Sequence, residues 1–213
     1  MLKIFETEDL SAFTSVTQQS LPPALHIGNV DADKLILERD EFLKNYTISY
    51  DNTQKWENHM TNEVIEELRN LGWVGSNYWY DQKQICKIKD NRNEPFNEFN
   101  DGVGEYTKEV LNLYSPFNRP RYIFSGKGWS IKKHADWSIN DVAKHGFRMH
   151  IMLKTDDQNF CVIDENGTDV KYNFKKGEVW FLNVTYEHSI SSVVNTRESI
   201  SFDMLSDKLI RPI

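Results

Sequence analysis

Between residues 120 and 205 the chain breaks into eight short segments that read as strands, and this run constrains the fold more than any other feature. They are RYIFSG, WSIKKHAD, FRMHIMLKT, FCVIDE, DVKYNF, GEVWFLNV, HSISSVV and RESISFDML. Most combine β-branched and aromatic residues in apolar–polar alternation, and none is separated from the next by a helical pattern. Asn166-Gly167 lies between two of them, and a two-residue hairpin turn needs the positive φ that this pair tolerates. Short antiparallel strands in such number fold as a sandwich or jelly roll.

The texture upstream of residue 119 is different. DADKLILERDEFLKNY (31–46) sets Leu35, Ile36, Phe42 and Leu43 at helical spacing, with Asp31 as a candidate N-cap. TNEVIEELRNLG (61–72) places Val64, Ile65, Leu68 and Leu71 on one helix face and ends at Gly72. GEYTKEVLNLY (104–114) is a third helical pattern, bounded by Pro116, and DQKQICKIKD (81–90) is a candidate strand. The expected architecture is mainly β with α. Residues 1–118 form a helical support region packed on one sheet, and residues 119–205 form the β core. The whole chain, 1–213, is expected to be a single domain in two layers.

Composition narrows the function. Hydrophobic residues at 39% and aromatics at 13% suffice for a sizeable core. With 25 Lys and Arg against 32 Asp and Glu the net charge is −7, which disfavours nucleic acid as a partner. The opening MLKIFETEDLSAF carries acidic residues where a secretory signal needs an apolar run, and no apolar stretch is long enough for a membrane span. Cys86 and Cys161 suggest no disulfide framework. The expectation is a cytoplasmic protein without a membrane partner.

The chemistry lies in KKHADWS (132–138). On a strand, residues two apart share a face, so His134 and Asp136 can reach one point. Two histidines and a carboxylate on one side of a metal, with positions left open, are the ligand set of non-haem Fe(II) oxygenases. His188, in NVTYEHSI, is the second histidine, ahead of another β-like run. Arg197 follows nine positions later (197 − 188) and opens the last strand. A guanidinium there suits the distal carboxylate of 2-oxoglutarate, which it can grip with two parallel hydrogen bonds.

With these residues in this order, the chain resembles the 2-oxoglutarate/Fe(II)-dependent oxygenases of double-stranded β-helix (cupin-like) fold. RMHIML (148–153), GEVWFLNVTYEHS (177–189) and Arg197 resemble more narrowly the aspartyl/asparaginyl β-hydroxylase family, which includes bacterial hydroxylases of free proline. Gly177, Val179, Glu187, His188 and Arg197 fill the family's motif places, over roughly residues 120–205. The resemblance implies a dioxygenase with Fe(II), 2-oxoglutarate and O₂, with His134, Asp136 and His188 as metal ligands and catalytic centre. It implies that Arg197 binds the C5 carboxylate of 2-oxoglutarate. Arg148 and His150 would contact 2-oxoglutarate or an acidic group of the substrate. Asp136 departs from the vertebrate aspartyl type, which lacks that ligand, and agrees with the proline-hydroxylating members. The serine that helps hold 2-oxoglutarate in the aspartyl type falls at Ile123, and Ser199 is a substitute hydroxyl beside Arg197.

The expected substrate is an amino acid, proline-like or acidic, free or within a peptide. A nucleic-acid dealkylase or other small-molecule oxygenase on the same iron core, and a non-catalytic jelly-roll binding module, are the alternatives. The acidic charge speaks against the first, the intact ligand set against the second. His26, His59 and His145 lie outside the motif places and carry no expected function. WVGSNYWY (73–80) reads as core before it reads as a pocket wall. Arg148, a second cation near the iron beside Arg197, is expected to need an anion from the substrate.

Overall fold

A computed structural model describes residues 22–45, 80–87, 98–126, 130–136, 147–191 and 193–204. Two antiparallel sheets and two helices make up the described residues. The strands are β1 (Ala24–Asn29), β2 (Tyr80–Gln84), β3 (Phe117–Gly126), β4 (Ile131–His134) and β5 (Phe147–Lys154). They continue with β6 (Cys161–Glu165), β7 (Thr168–Tyr172), β8 (Glu178–Leu182), β9 (His188–Ile190) and β10 (Thr196–Met204). The helices are α1 (Ala32–Asn45) and α2 (Glu105–Asn112). The larger sheet runs β1-β8-β5-β10-β3-β2 and the smaller β4-β9-β6-β7.

Each of the eight expected strands is present. β6 and β7 meet at Asn166-Gly167, whose φ values of 57° and 84° are those of a two-residue hairpin turn. β2 falls within the candidate strand at 81–90, extended by one residue to Tyr80, and Cys86 adds a single bridge to Phe99. β1 is an addition to the sequence reading. Its Leu25 and Ile27 pack on the core, but prolines precede it and a register shift falls between His26 and Gly28. That length and irregularity leave too little alternation to announce a strand. β3 also begins earlier than expected, at Phe117. The expected helix at 61–72 and the aromatic segment at 73–79 lie outside the described residues.

Both described helices start as their chemistry dictates. Asp31 caps α1, its Oδ1 accepting from the Lys34 amide at 3.0 Å. Gly104 offers α2 no side-chain cap. Glu38 of α1 supplies it instead, accepting from the Tyr106 amide at 3.0 Å and the Thr107 amide at 2.8 Å. A carboxylate there satisfies free amides and meets the positive end of the helix dipole.

The strand alternation separates two environments. Tyr122 and Phe124 of β3, Met149 and Ile151 of β5, Val179 and Phe181 of β8, and Ile200 and Phe202 of β10 are buried with Leu35 and Phe42 of α1 and Val110 and Leu111 of α2. This is the helix-covered face, as the sequence reading expected. The intervening residues of β5 and β10 turn to the opposite face. There Met152 joins Cys161 and Ile163 of the smaller sheet in a second apolar cluster with Phe174, Leu182 and Val184. Arg148, His150, Arg197, Ser199, Ser201 and Asp203 occupy the same inner face, a polar lining with the smaller sheet on its far side.

Candidate metal centre and polar barrel lining

β4 and β9 are antiparallel neighbours, and their register sets His134 directly across from His188. The ring centroids are 4.6 Å apart. Asp136 follows two residues after His134, its amide donating to the Val184 carbonyl just beyond β8 at 3.0 Å. One ligand atom from each of His134, Asp136 and His188 lies within 4.8 Å of the others.

The ring orientations fix which nitrogens face inward. His134 Nδ1 lies 2.7 Å from the Lys132 carbonyl and His188 Nδ1 3.0 Å from the Tyr186 carbonyl. A carbonyl only accepts, so each Nδ1 carries the proton and each neutral ring presents a lone pair at Nε2. His134 Nε2 then faces Asp136 Oδ1 at 3.2 Å. Two acceptors that close need a positive charge between them, either a proton or a metal ion. Burial works against a protonated His134, but its bonds to Asp136 and the Lys132 carbonyl raise its pKa. Burial lowers that of His188. Burial also opposes ionised Asp136, yet the Arg148 charge and His134 hold its carboxyl well below the usual range. A carboxylate and two imidazoles with Nε2 inward form a donor set suited to a divalent transition metal.

Arg197 is 4% exposed and His150 7%. Burial drives the His150 pKa well down, and the charges of Arg197, Arg148 and Arg121 push it the same way. His150 is therefore a neutral ring among three guanidinium groups, and its Nδ1 has no hydrogen-bond partner among the described residues. The buried hydroxyls of Ser125, Ser199 and Ser201 also lack one. Ser125 pairs with Arg197 across β3 and β10, and Ser201 pairs with both Arg121 and His150. Buried polar atoms left unsatisfied cost about 1–3 kcal/mol each, so several on one face mark a place where a polar ligand is received. Arg197, neutral His150 and the hydroxyls fit a small dicarboxylate such as 2-oxoglutarate.

Arg148 corrects one expectation. It is not a cation awaiting an anion: its Nη1 lies 2.9 Å from Asp136 Oδ2, and its Nε donates to Asp203 Oδ1. Arg119 donates through Nε to the other Asp203 oxygen at 2.8 Å. Sequence reasoning missed Asp203, Arg119, Arg121, Ser125 and Ser201. The signal for two of them was present, since positions 197, 199, 201 and 203 share one strand face. His26 stays outside the centre, its Nε2 bonded to the Gly28 carbonyl and its ring against Trp180. His59 and His145 lie outside the described residues.

No family model matches the sequence, and no curated protein does. Solved structures do match. A prolyl hydroxylase from Trichoplax adhaerens, in complex with a peptide fragment of the hypoxia inducible factor oxygen degradation domain, superposes with a TM-score of 0.57 at 12% identity. That match covers 96% of this chain and 92% of that one. A 2OG-Fe(II) oxygenase family oxidoreductase from Burkholderia pseudomallei gives 0.46 at 15% identity, over 68% and 78% of the two chains. A prolyl-4-hydroxylase from Pseudomonas putida gives 0.38 at 11%, over 66% and 96%. The assignment rests on the first of these. The chain has the jelly-roll fold of that prolyl hydroxylase, mainly β with helices on one face of the larger sheet.

Proposed function

We propose that the chain is an Fe(II)- and 2-oxoglutarate-dependent dioxygenase that hydroxylates an amino acid, proline-like or acidic, free or within a peptide. The observation that carries this reading is the convergence of His134, Asp136 and His188 at the polar, arginine-lined interior of the barrel. On this reading the three residues are the metal ligands, and the narrower family is the aspartyl/asparaginyl β-hydroxylases. Residues 119–205 are the catalytic core and residues 1–118 its support, within one unit.

Iron bound there supplies the O₂ chemistry that couples oxidative decarboxylation of 2-oxoglutarate, to succinate and CO₂, with hydroxylation of a C–H bond. The chain's own part is to bind and orient. His134 and His188 offer Nε2 because backbone carbonyls hold each Nδ1 proton. Arg197 takes the distal carboxylate of 2-oxoglutarate, with Ser125 and Ser199 as hydroxyl donors beside it. His150 stays neutral at working pH and so meets the cosubstrate as a hydrogen-bonding ring, without adding a charge. Apolar residues beside this lining between the two sheets, Met152, Cys161 and Ile163 among them, bound it on the inner face.

Substrate-stimulated succinate formation tests the reading. Purified protein with Fe(II), ascorbate and 2-oxoglutarate is screened against free amino acids and against proline- and aspartate-containing peptides. Turnover should require added iron and stop with a strong chelator, and alanine at His134, Asp136 or His188 should abolish it. Wild-type turnover that survives chelation would sink the proposal.

A further inference from the structure

We propose that Arg148 is a positioning residue for the metal ligands, holding the Asp136 carboxylate so that one oxygen faces the two histidines, and that Asp203 holds Arg148 in turn. This rests on the metal-centre reading above and assigns Arg148 a role other than contact with substrate or 2-oxoglutarate.

Asp136 lies past the end of β4, and its amide bond to Val184 fixes its backbone but leaves the side chain to rotate. The two carboxylate oxygens nevertheless have distinct surroundings. Oδ1 is 3.2 Å from His134 Nε2, while Oδ2 is 2.9 Å from Arg148 Nη1. The Arg148 charge stands against Oδ2 as an ion pair, without the alignment of a hydrogen bond, and leaves Oδ1 to point into the ligand cluster, so the charge holds the rotamer from behind.

Arg148 can do this because its own position is fixed. The β5–β10 register sets it directly opposite Asp203. Asp203 is 1% exposed and takes Arg148 Nε on one oxygen and Arg119 on the other. A buried carboxylate between two guanidinium groups is costly to disturb, which makes it a firm anchor. The resulting chain, Asp136–Arg148–Asp203–Arg119, links the loop after β4 to β5, β10 and β3. Only arginine fits the central place, since its planar fork offers separate nitrogens to two carboxylates and lysine offers one.

Two effects of Arg148 on a bound metal oppose each other. Its charge repels a cation, whereas its grip on Asp136 spares the metal the cost of ordering that ligand. The proposal is that the second dominates, and the sign is measurable. Apo protein is titrated with Co(II) against a competing chelator while the visible Co(II) bands are recorded, for wild type, Arg148→Gln, Arg148→Lys and Asp203→Asn. Outer partners of metal ligands are worth about 10- to 100-fold in affinity. Both Arg148 variants should weaken Co(II) binding by that order and alter the bands, and Asp203→Asn should shift both in the same direction. Circular dichroism and melting of the apo forms identify any variant that fails to fold, and the remaining variants then decide. Arg148→Gln binding as tightly as wild type, or more tightly, with Arg148→Lys unchanged, would overturn the proposal in favour of simple charge repulsion. Wild-type protein that takes up no Co(II) would overturn the metal centre itself, a result separate from any comparison of variants.

Discussion

Arg39 of α1 forms a buried ion pair with Glu198 of β10, one residue from Arg197. Adjacent residues of a strand face opposite ways, so the strand that turns Arg197 to the barrel interior is held from behind by the helix. Arg39 also lies over the Phe124 ring, 5.4 Å from its centroid, and pairs with Asp40. The helical layer therefore fixes the position of the strand that carries Arg197, the proposed cosubstrate anchor, as well as covering the core. Arg39→Ala should destabilise the protein by about 3 kcal/mol, the low end for stranding half of a buried pair. The low end applies because Lys154 still reaches Glu198 Oε1 at 3.2 Å. Denaturant unfolding of the apo protein measures this. A loss below about 0.5 kcal/mol, usual for surface changes, would show the pair to be incidental.

Two glycines with almost the same backbone angle should respond differently to alanine. Gly167 has φ 84°, and a Cβ added there would meet nothing within 4 Å, so only the left-handed conformation penalises a side chain. That penalty is about 1–2 kcal/mol. Gly177 has φ 85°, and an added Cβ would also stand 3.0 Å from the Val30 carbonyl oxygen. Its own carbonyl accepts from Val30 and its amide donates to Met152, so neither backbone can give way without breaking a bond. Gly177→Ala should therefore lower the melting temperature clearly more than Gly167→Ala. Equal shifts would mean that the contact between β1 and β8 relaxes freely.

Acid stability should carry the mark of His150. Its folded pKa lies well below 6.5, through burial first and then the arginine charges, while the unfolded ring titrates near 6.5. Below 6.5 the unfolded chain binds a proton that the folded one refuses, so stability falls as pH drops from there toward the folded pKa. One such group gives a slope of about 1.4 kcal/mol per pH unit. His134, raised, and His188, lowered, act in opposite senses and offset one another in part. His150→Gln should flatten the apo stability curve between about pH 5 and 6.5. An unchanged slope in the variant would place the acid sensitivity elsewhere.

Much of this arrangement was legible in the sequence because it depends on local pattern. Alternation marked the eight later strands, Asn166-Gly167 marked their hairpin, and Asp31 marked the start of α1. The closeness of His134 and Asp136 in sequence pointed to two donors that meet, but the shared strand face did not hold. β4 ends at His134, and Asp136 reaches the cluster from the loop beyond it, held through its amide by the Val184 carbonyl. Cross-strand register was not legible. That Asp203 stands opposite Arg148 depends on pairing with β5, where β10 shifts register between Glu198 and Ser199. Nothing near position 148 announces a partner 55 residues away, so Arg148 read as a cation in need of a ligand. β1 was hidden for a related reason, because it is stabilised by β8 and not by any pattern of its own.

The proposed cosubstrate anchor can be tested apart from turnover. Arg197 is buried on the inner face, level with Ser125, and if it pairs with the C5 carboxylate of 2-oxoglutarate its removal strands that charge in the barrel. Losing one member of such a pair costs about 3–5 kcal/mol, or roughly two to four decades in affinity. Calorimetric titration of 2-oxoglutarate into Mn(II)-loaded protein should show that loss in Arg197→Ala, while Mn(II) affinity measured alone stays close to wild type. Arg197→Lys should recover part of the charge but not the two-point grip, and so fall between the two. The same titration with Arg148→Gln separates the two arginines, since the proposed roles have Arg148 acting on the metal through Asp136 and Arg197 acting on the cosubstrate. Unchanged 2-oxoglutarate affinity in Arg197→Ala would move the anchor to another cation of the lining, with Arg121, opposite Ser201, the first to test.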